Sequence, residues 1–211
     1  MSLNIDSPLG KILTKLLDLV VLQVLFVVTS IPVVTIGAGL SAMFAVCRKL
    51  RQEDVVPVTK TYFREFKACF GKATAAWLIL APAAALLGIS ISYYYHAPLA
   101  LRIVPLVIAG VLLVLVWLAF VYVFPRIAWF DNGLRAHFRN AFVLSICHFW
   151  TTVVVTLLYA FVFLLAVPLL PIVLLIAFSG SAFYAGLCFE KVFAKYDPSA
   201  VPPAPESGEE Q

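Results

Sequence analysis

Residues 103–124 read IVPLVIAGVLLVLVWLAFVYVF, without one charged side chain. A helix needs about 20 such residues to cross a hydrocarbon core roughly 30 Å thick, so this stretch alone predicts a membrane span. Five more apolar runs flank it: Ile12–Ile31, Val33–Cys47, Ala73–Tyr95, Trp150–Val167 and Ile172–Phe189. The whole chain of 211 residues is 63% hydrophobic and 12% charged, with a mean hydropathy of +1.02. That is more apolar surface than a soluble domain of this length can bury, and it excludes an ordinary water-soluble enzyme fold. The reading is an all-α, polytopic membrane helix bundle of about six spans in three hairpins, with amphipathic interfacial helices in the cytoplasmic loops. It forms one domain over residues 1–196, followed by a disordered cytoplasmic tail, 197–211, rich in Pro and Glu.

Basic residues set the expected orientation. Lys11/Lys15, the group from Arg48 to Lys72, the group from Arg126 to Arg139, and Lys191/Lys195 hold all the Lys and Arg except Arg102. Basic residues near span ends are retained on the cytoplasmic face, so six crossings place both termini in the cytoplasm of a multi-pass cell-membrane protein. Four crossings plus a re-entrant first pair satisfy the same rule, because Asp18 and Gln23 interrupt the first run and Gly37 and Gly39 the short second one. Asp18 inside the first run, with the chain continuing into more apolar sequence, argues against a cleaved signal peptide. Tyr93, Tyr94 and Tyr95 form an aromatic belt at the outer interface, opposite Trp77, Trp129 and Trp150 at the inner one.

Cys47, Cys69, Cys147 and Cys188 all fall at expected cytoplasmic positions, where thiols stay reduced, so no disulfide is expected. Neither a CxxC nor an HxxxH spacing occurs around Cys147, His148 and His137, and no metal site or cofactor is expected.

The most patterned segment is Thr59–Lys72. On a helix, Phe63, Phe66 and Phe70 form one stripe and Lys60, Arg64 and Lys67 a second beside it. Such a helix lies at the membrane surface with aromatics in the headgroup boundary and basic heads on lipid phosphates, or it docks a cytoplasmic partner. A weaker copy follows at Leu134–His148, where Leu134, Phe138 and Phe142 share a face opposite Arg135 and Arg139. Together with Arg126 these are the candidate interfacial or docking residues. Pro125 is expected to close the preceding span. Asp131 of the Asp131-Asn132-Gly133 turn is expected to cap the next helix or to pair with Arg135. Nucleic acid is not an expected partner, since topology accounts for the charges.

Ionisable groups within spans point to function in membrane proteins. Asp18, with Gln23, forms the candidate polar intramembrane site, and pairing of Asp18 with Lys15 one turn away is the structural alternative. Glu190 next to Lys191 reads as solvated. Ala182/Gly186 and Gly37/Ser41 are small-xxx-small pairs that allow close helix approach. Pro82 is expected to kink or unwind the third run.

Asp18…Gln23 followed by Ser30-Ile31-Pro32-Val33-Val34-Thr35-Ile36-Gly37-Ala38 resembles the N-terminal signature of the YesL family of bacterial membrane proteins (domain of unknown function 624). Tyr62-Phe63-Arg64-Glu65-Phe66-Lys67, Tyr122-Val123-Phe124-Pro125, Asn140-Ala141-Phe142 and Phe193-Ala194-Lys195-Tyr196 extend the resemblance over most of residues 10–196. It implies a multispanning protein with an accessory role in ABC-type carbohydrate uptake, since genes of this family commonly accompany such transporters. The implied partners are the lipid bilayer and a carbohydrate-transporter complex or a second copy of the chain. No Walker A motif, HExxH or nucleophile–base pair is present, so no catalytic residue and no enzyme activity are expected. The alternative is a small-molecule transporter acting alone, with its pathway past Asp18, Gln23 and Pro82.

Overall fold

The computed structural model describes residues 8–53, 55–96, 98–166 and 177–196. Among them the chain forms seven α-helices and one 3₁₀ turn: α1 (Pro8–Thr29), the turn Val33–Thr35, α2 (Ile36–Gln52), α3 (Val58–Tyr95), α4 (Leu99–Trp129), α5 (Leu134–Cys147), α6 (Phe149–Ala166) and α7 (Ala177–Tyr196). The tail 197–211 and the connection Pro168–Pro171 lie outside the described residues.

The α1–α2 reversal follows from the Ser30–Ala38 stretch. Pro32 holds extended backbone, and Thr35 closes the turn by donating its Oγ1 hydroxyl to the carbonyls of Thr29 and Pro32. The next turn carries Gly37, where a Cβ would lie 2.5 Å from the Ala73 carbonyl and 2.7 Å from Trp77 Cβ. Only glycine lets α2 approach the α3 backbone this closely. Ser41, one turn on, donates to the Phe124 carbonyl at 3.3 Å, so the Gly37/Ser41 pair makes the close contact expected of it.

With Ala38, Ala42, Met43, Phe44, Val46, Cys47 and Leu50 all buried, α2 is the hub of the molecule. Around it pack α1, α3, α4 and α7, while α5 lies on α4, and α6 on α7 and α4. A helix apolar all round is stable only when enclosed in this way.

The 38 residues of α3 extend about 57 Å and the 31 of α4 about 46 Å, at about 1.5 Å per residue. Their far halves are exposed along Leu78, Leu86 and Ile89 and along Val104, Ile108 and Val111, leaving an apolar hairpin in contact with its surroundings. A surface this large and apolar is matched by lipid rather than water. At the hairpin tip Arg102 lies over the Tyr95 ring, 5.3 Å from its centroid.

Several expectations change. Three helical segments are long and apolar enough to cross a membrane, Val33–Gln52, Val58–Tyr95 and Leu101–Trp129, or four if α5 and α6, bent by 99° at their junction, count as one broken span. Six full crossings are therefore more than the described residues display. Thr59–Lys72 is not a separate interfacial helix but the first part of α3, because nothing between Lys72 and Ala73 breaks the backbone. Pro82 does not unwind α3, which stays helical through it, and α4 runs through Pro125 to Trp129. An interior proline costs about 3 kcal/mol. Buried Phe124 and Ile127, and the contacts of Arg126, hold the last turn of α4 despite that cost.

Candidate functional site

The basic ends of α2 and α4 converge with α7 on one aromatic cluster. Arg51, in the last turn of α2, has a side chain only 6% exposed. Its Nε and Nη2 donate to Glu190 Oε1 at 3.0 and 2.8 Å, and its Nη1 donates to the Phe183 carbonyl at 3.1 Å. The guanidinium also lies 5.4 Å from the Phe183 ring centroid and 6.0 Å from that of Trp129. Gly186 makes this path: a Cβ there would stand 2.7 Å from Arg51 Cζ. Arg48, one turn earlier on α2, places its Cζ 5.2 Å from the Trp129 ring.

Arg126 is 7% exposed and lies between two rings, 4.9 Å from Phe130 and 5.4 Å from Phe193. Trp129 and Phe130 both pack edge-on against Phe193, at 5.0 and 5.5 Å. Guanidinium groups tolerate this burial because π faces and a carboxylate replace water around a weakly hydrated ion. The cluster ties α2 to α7 and to the end of α4. Two ion pairs brace the neighbouring surface, Lys49–Glu65 at 2.8 Å and Lys72–Asp131. The Lys72 ammonium, by hydrogen bond and charge, holds the exposed Asp131 carboxyl below its ordinary value.

Lys60, Phe63, Arg64, Lys67 and Phe70 are all exposed on the first part of α3. At about 100° per residue they occupy an arc of roughly 120°, so the two stripes do lie side by side. Phe66 is the exception: half-buried, it stacks on Tyr62, with ring centroids 6.1 Å apart. Tyr62 Oη in turn sits 2.6 Å from Thr29 Oγ1, fixing this arm of α3 to the end of α1. Arg135 and Arg139 are exposed along α5, whereas Leu134, Phe138 and Phe142 pack toward the core. Arg126 is thus separated from the two arginines with which the sequence groups it.

Asp18 and Gln23 are not brought together; five residues apart on α1, they point about 140° from each other. Gln23 is 1% exposed, and its Oε1 accepts the backbone N–H of Ser179, in the first turn of α7, at 2.9 Å. It serves as a capping group for the first turn of α7. Asp18 is half-buried, and among the described residues no ion pair joins it to Lys15.

Two further expectations are corrected. Glu190 is not merely solvated but the acceptor for Arg51, and Asp131 neither caps α5 nor pairs with Arg135. Gly133 occupies the cap position without a side-chain hydrogen bond, because Lys72 engages Asp131 instead. Sequence reading missed Arg48, Arg51 and Glu190. The one local signal was Gly186, a turn before Glu190, whose missing side chain clears a path across α7. All four cysteines are free, Cys47 and Cys69 being buried and Cys147 exposed. No group of three or more His, Cys, Asp or Glu arranged to hold a metal occurs among the described residues.

Comparison with known proteins assigns the chain to a family. The model of a protein family of unknown function, DUF624, matches residues 19–91, from α1 through most of α3. The uncharacterised protein YteU of Bacillus subtilis (strain 168) is 30% identical over 147 residues, 69% of this chain and 66% of that relative, so just under two thirds of its length is spanned. No solved structure matches. The chain belongs to the YesL/DUF624-type family.

Proposed function

We propose that this DUF624 protein is a non-catalytic accessory subunit of the bacterial cell membrane, with both termini in the cytoplasm, that serves ABC-type carbohydrate uptake. The observation that carries the docking part of this reading is the arm of α3 from Lys60 to Phe70. It is basic and aromatic over one exposed face, and it continues rigidly into the apolar part of the same helix. An arm braced by Tyr62–Thr29 and Lys49–Glu65 presents its side chains with little ordering cost, the condition under which a modest patch recognises a partner. Its chemistry fits an acidic surface with an apolar centre on a membrane-transporter subunit. Support for the orientation is the positive-inside distribution of Lys and Arg, and support for carbohydrate uptake is the company kept by YesL-type genes.

Affinity purification of the tagged chain from native membranes tests this. Wild type carries transporter subunits with it, and the triple variant Lys60→Gln, Arg64→Gln, Lys67→Gln inserts normally but loses them. Equal recovery of partners by the variant contradicts a docking role for the arm. Sugar flux by the chain alone in liposomes would establish the transporter reading instead.

A further inference from the structure

The tip of the α3–α4 hairpin holds a cavity of about 950 Å³, within the roughly 300–1,000 Å³ of small-ligand sites. The last turns of α3 supply Ser92, Tyr93, Tyr94 and His96 to its wall, and the start of α4 supplies Pro98 and Pro105. An aromatic belt alone does not account for this arrangement. Belt tyrosines need only reach the headgroup level, whereas these rings and hydroxyls line one cleft between two helix ends.

The rings of the tip hold one another in place. Tyr93 and Tyr94 meet edge to face with centroids 5.3 Å apart, and Tyr95 and His96 do so at 5.4 Å. Arg102 reaches back from α4 to lie over the Tyr95 ring and donates its Nη1 to the Tyr95 carbonyl at 3.5 Å, which ties the two helix ends together. Pro98 and Pro105 have fixed φ, so the α4 wall is stiff as well. Tyr93 is nonetheless 74% exposed, its ring largely uncovered beside the cleft.

We infer that this cleft binds the pyranose ring of a neutral saccharide. A sugar ring carries C–H groups on its faces and hydroxyls around its edge. The face of a Tyr ring is the negative side of its quadrupole and takes weakly positive C–H groups, while burying apolar area at the cost of few rotatable bonds. Each sugar hydroxyl both donates and accepts, as do the hydroxyls that Ser92, Tyr93 and Tyr94 bring, and His96 adds its ring nitrogens. A phosphate acts mainly as an acceptor and calls for charged donors, and Arg102 is engaged with Tyr95. In the orientation proposed above the cleft opens outside the cell. The inference stands on the geometry of the tip and is independent of the docking role of the α3 arm, to which it adds direct contact with sugar. A soluble oligosaccharide and the sugar head of a glycolipid share this chemistry.

Full-length protein in phosphatidylcholine nanodiscs, which carry no sugar headgroup, is titrated with maltotriose, cellotriose and xylotriose. Sorbitol is the control, with hydroxyls but no ring. Saturation-transfer difference NMR reads the contact of sugar C–H groups with the protein. At least one trisaccharide is expected to give a saturable signal, with affinity reduced about tenfold or more in Tyr93→Ala. Tyr93→Phe, which keeps the ring face and loses the hydroxyl, is expected to restore most of that loss. Both variants should melt close to wild type because position 93 is exposed. Displacement of the trisaccharide by monoglucosyldiacylglycerol added to the disc identifies a glycolipid head as a ligand of the same cleft, and no displacement identifies a soluble sugar. No saturable signal from any of the three trisaccharides, a signal from sorbitol equal to theirs, or full affinity in Tyr93→Ala overturns the inference.

Discussion

Gly37 and Gly71 are both helical glycines, and their surroundings predict opposite responses to the same substitution. At Gly37 a new Cβ meets the Ala73 carbonyl and Trp77 Cβ, backbone and near-backbone atoms that cannot step aside. Gly37→Ala should therefore cost about 1–3 kcal/mol by forcing α2 off α3. Nothing lies within 4 Å of a Cβ at Gly71, so Gly71→Ala should gain up to about 1 kcal/mol from helix propensity. Melting of the detergent-solubilised variants checks both signs. The Arg51–Glu190 pair calls for a double-mutant cycle. Arg51→Met strands a partly buried carboxylate and should cost up to about 3 kcal/mol, whereas Arg51→Met with Glu190→Leu should recover much of it. The Lys72–Asp131 pair adds a pH dependence. Because the Asp131 carboxyl is held below its unfolded value, the stabilisation is present above the ordinary carboxylate range and is lost as pH falls through the folded value. With Asp131 fully exposed the effect should be small, and Asp131→Asn should abolish it, as measured by melting between neutral and acidic pH. Gly37 was legible because a short motif surrounds it. Arg51 was not, because its acceptor stands 139 residues further along the chain.

At the level of elements, periodicity found the helices better than their ends. The basic stripe of Lys60, Arg64 and Lys67 is exposed along one face, but Phe66 leaves the aromatic stripe to pack on Tyr62, and the charge change at Lys72 suggested a break where the backbone has no reason for one. A single glycine at position 71 costs too little to end a helix. Pro125 misled in the same direction, since packing of the last turn of α4 outweighs one missing hydrogen bond. Asp18 and Gln23 looked like a pair only in linear order; the helix turns them apart, and the long-range role of Gln23 at the start of α7 has no sequence signature. The continuity of α3 can be measured with spin labels at Thr59 and Leu78, both exposed and on the near side of Pro82. A single helix predicts a narrow distance distribution near the backbone span of about 29 Å. A broad distribution centred well below that would mean the arm folds back at Ala73.

For the whole molecule, composition announced the membrane class, and the distribution of Lys and Arg announced two ends of different character. The span count was less legible. Hydropathy does not distinguish a helix enclosed by protein, such as α2, from one facing lipid, such as the far half of α4. Nor does it register the 99° bend between α5 and α6. What the structure adds is the meaning of the basic end: three arginines set among aromatic rings and an exposed arm lie away from the Tyr95–Arg102 tip. The central claim is that this arginine–aromatic end faces the cytoplasm. It is tested most directly by labelling with a membrane-impermeant maleimide in two variants that lack Cys47, Cys69 and Cys188. One keeps the exposed Cys147 alone, and the other replaces it and carries His96→Cys at the hairpin tip. The orientation predicts that the His96→Cys variant reacts in intact cells and that Cys147 reacts only after permeabilisation. Reaction of Cys147 in intact cells, with His96→Cys protected, would contradict it.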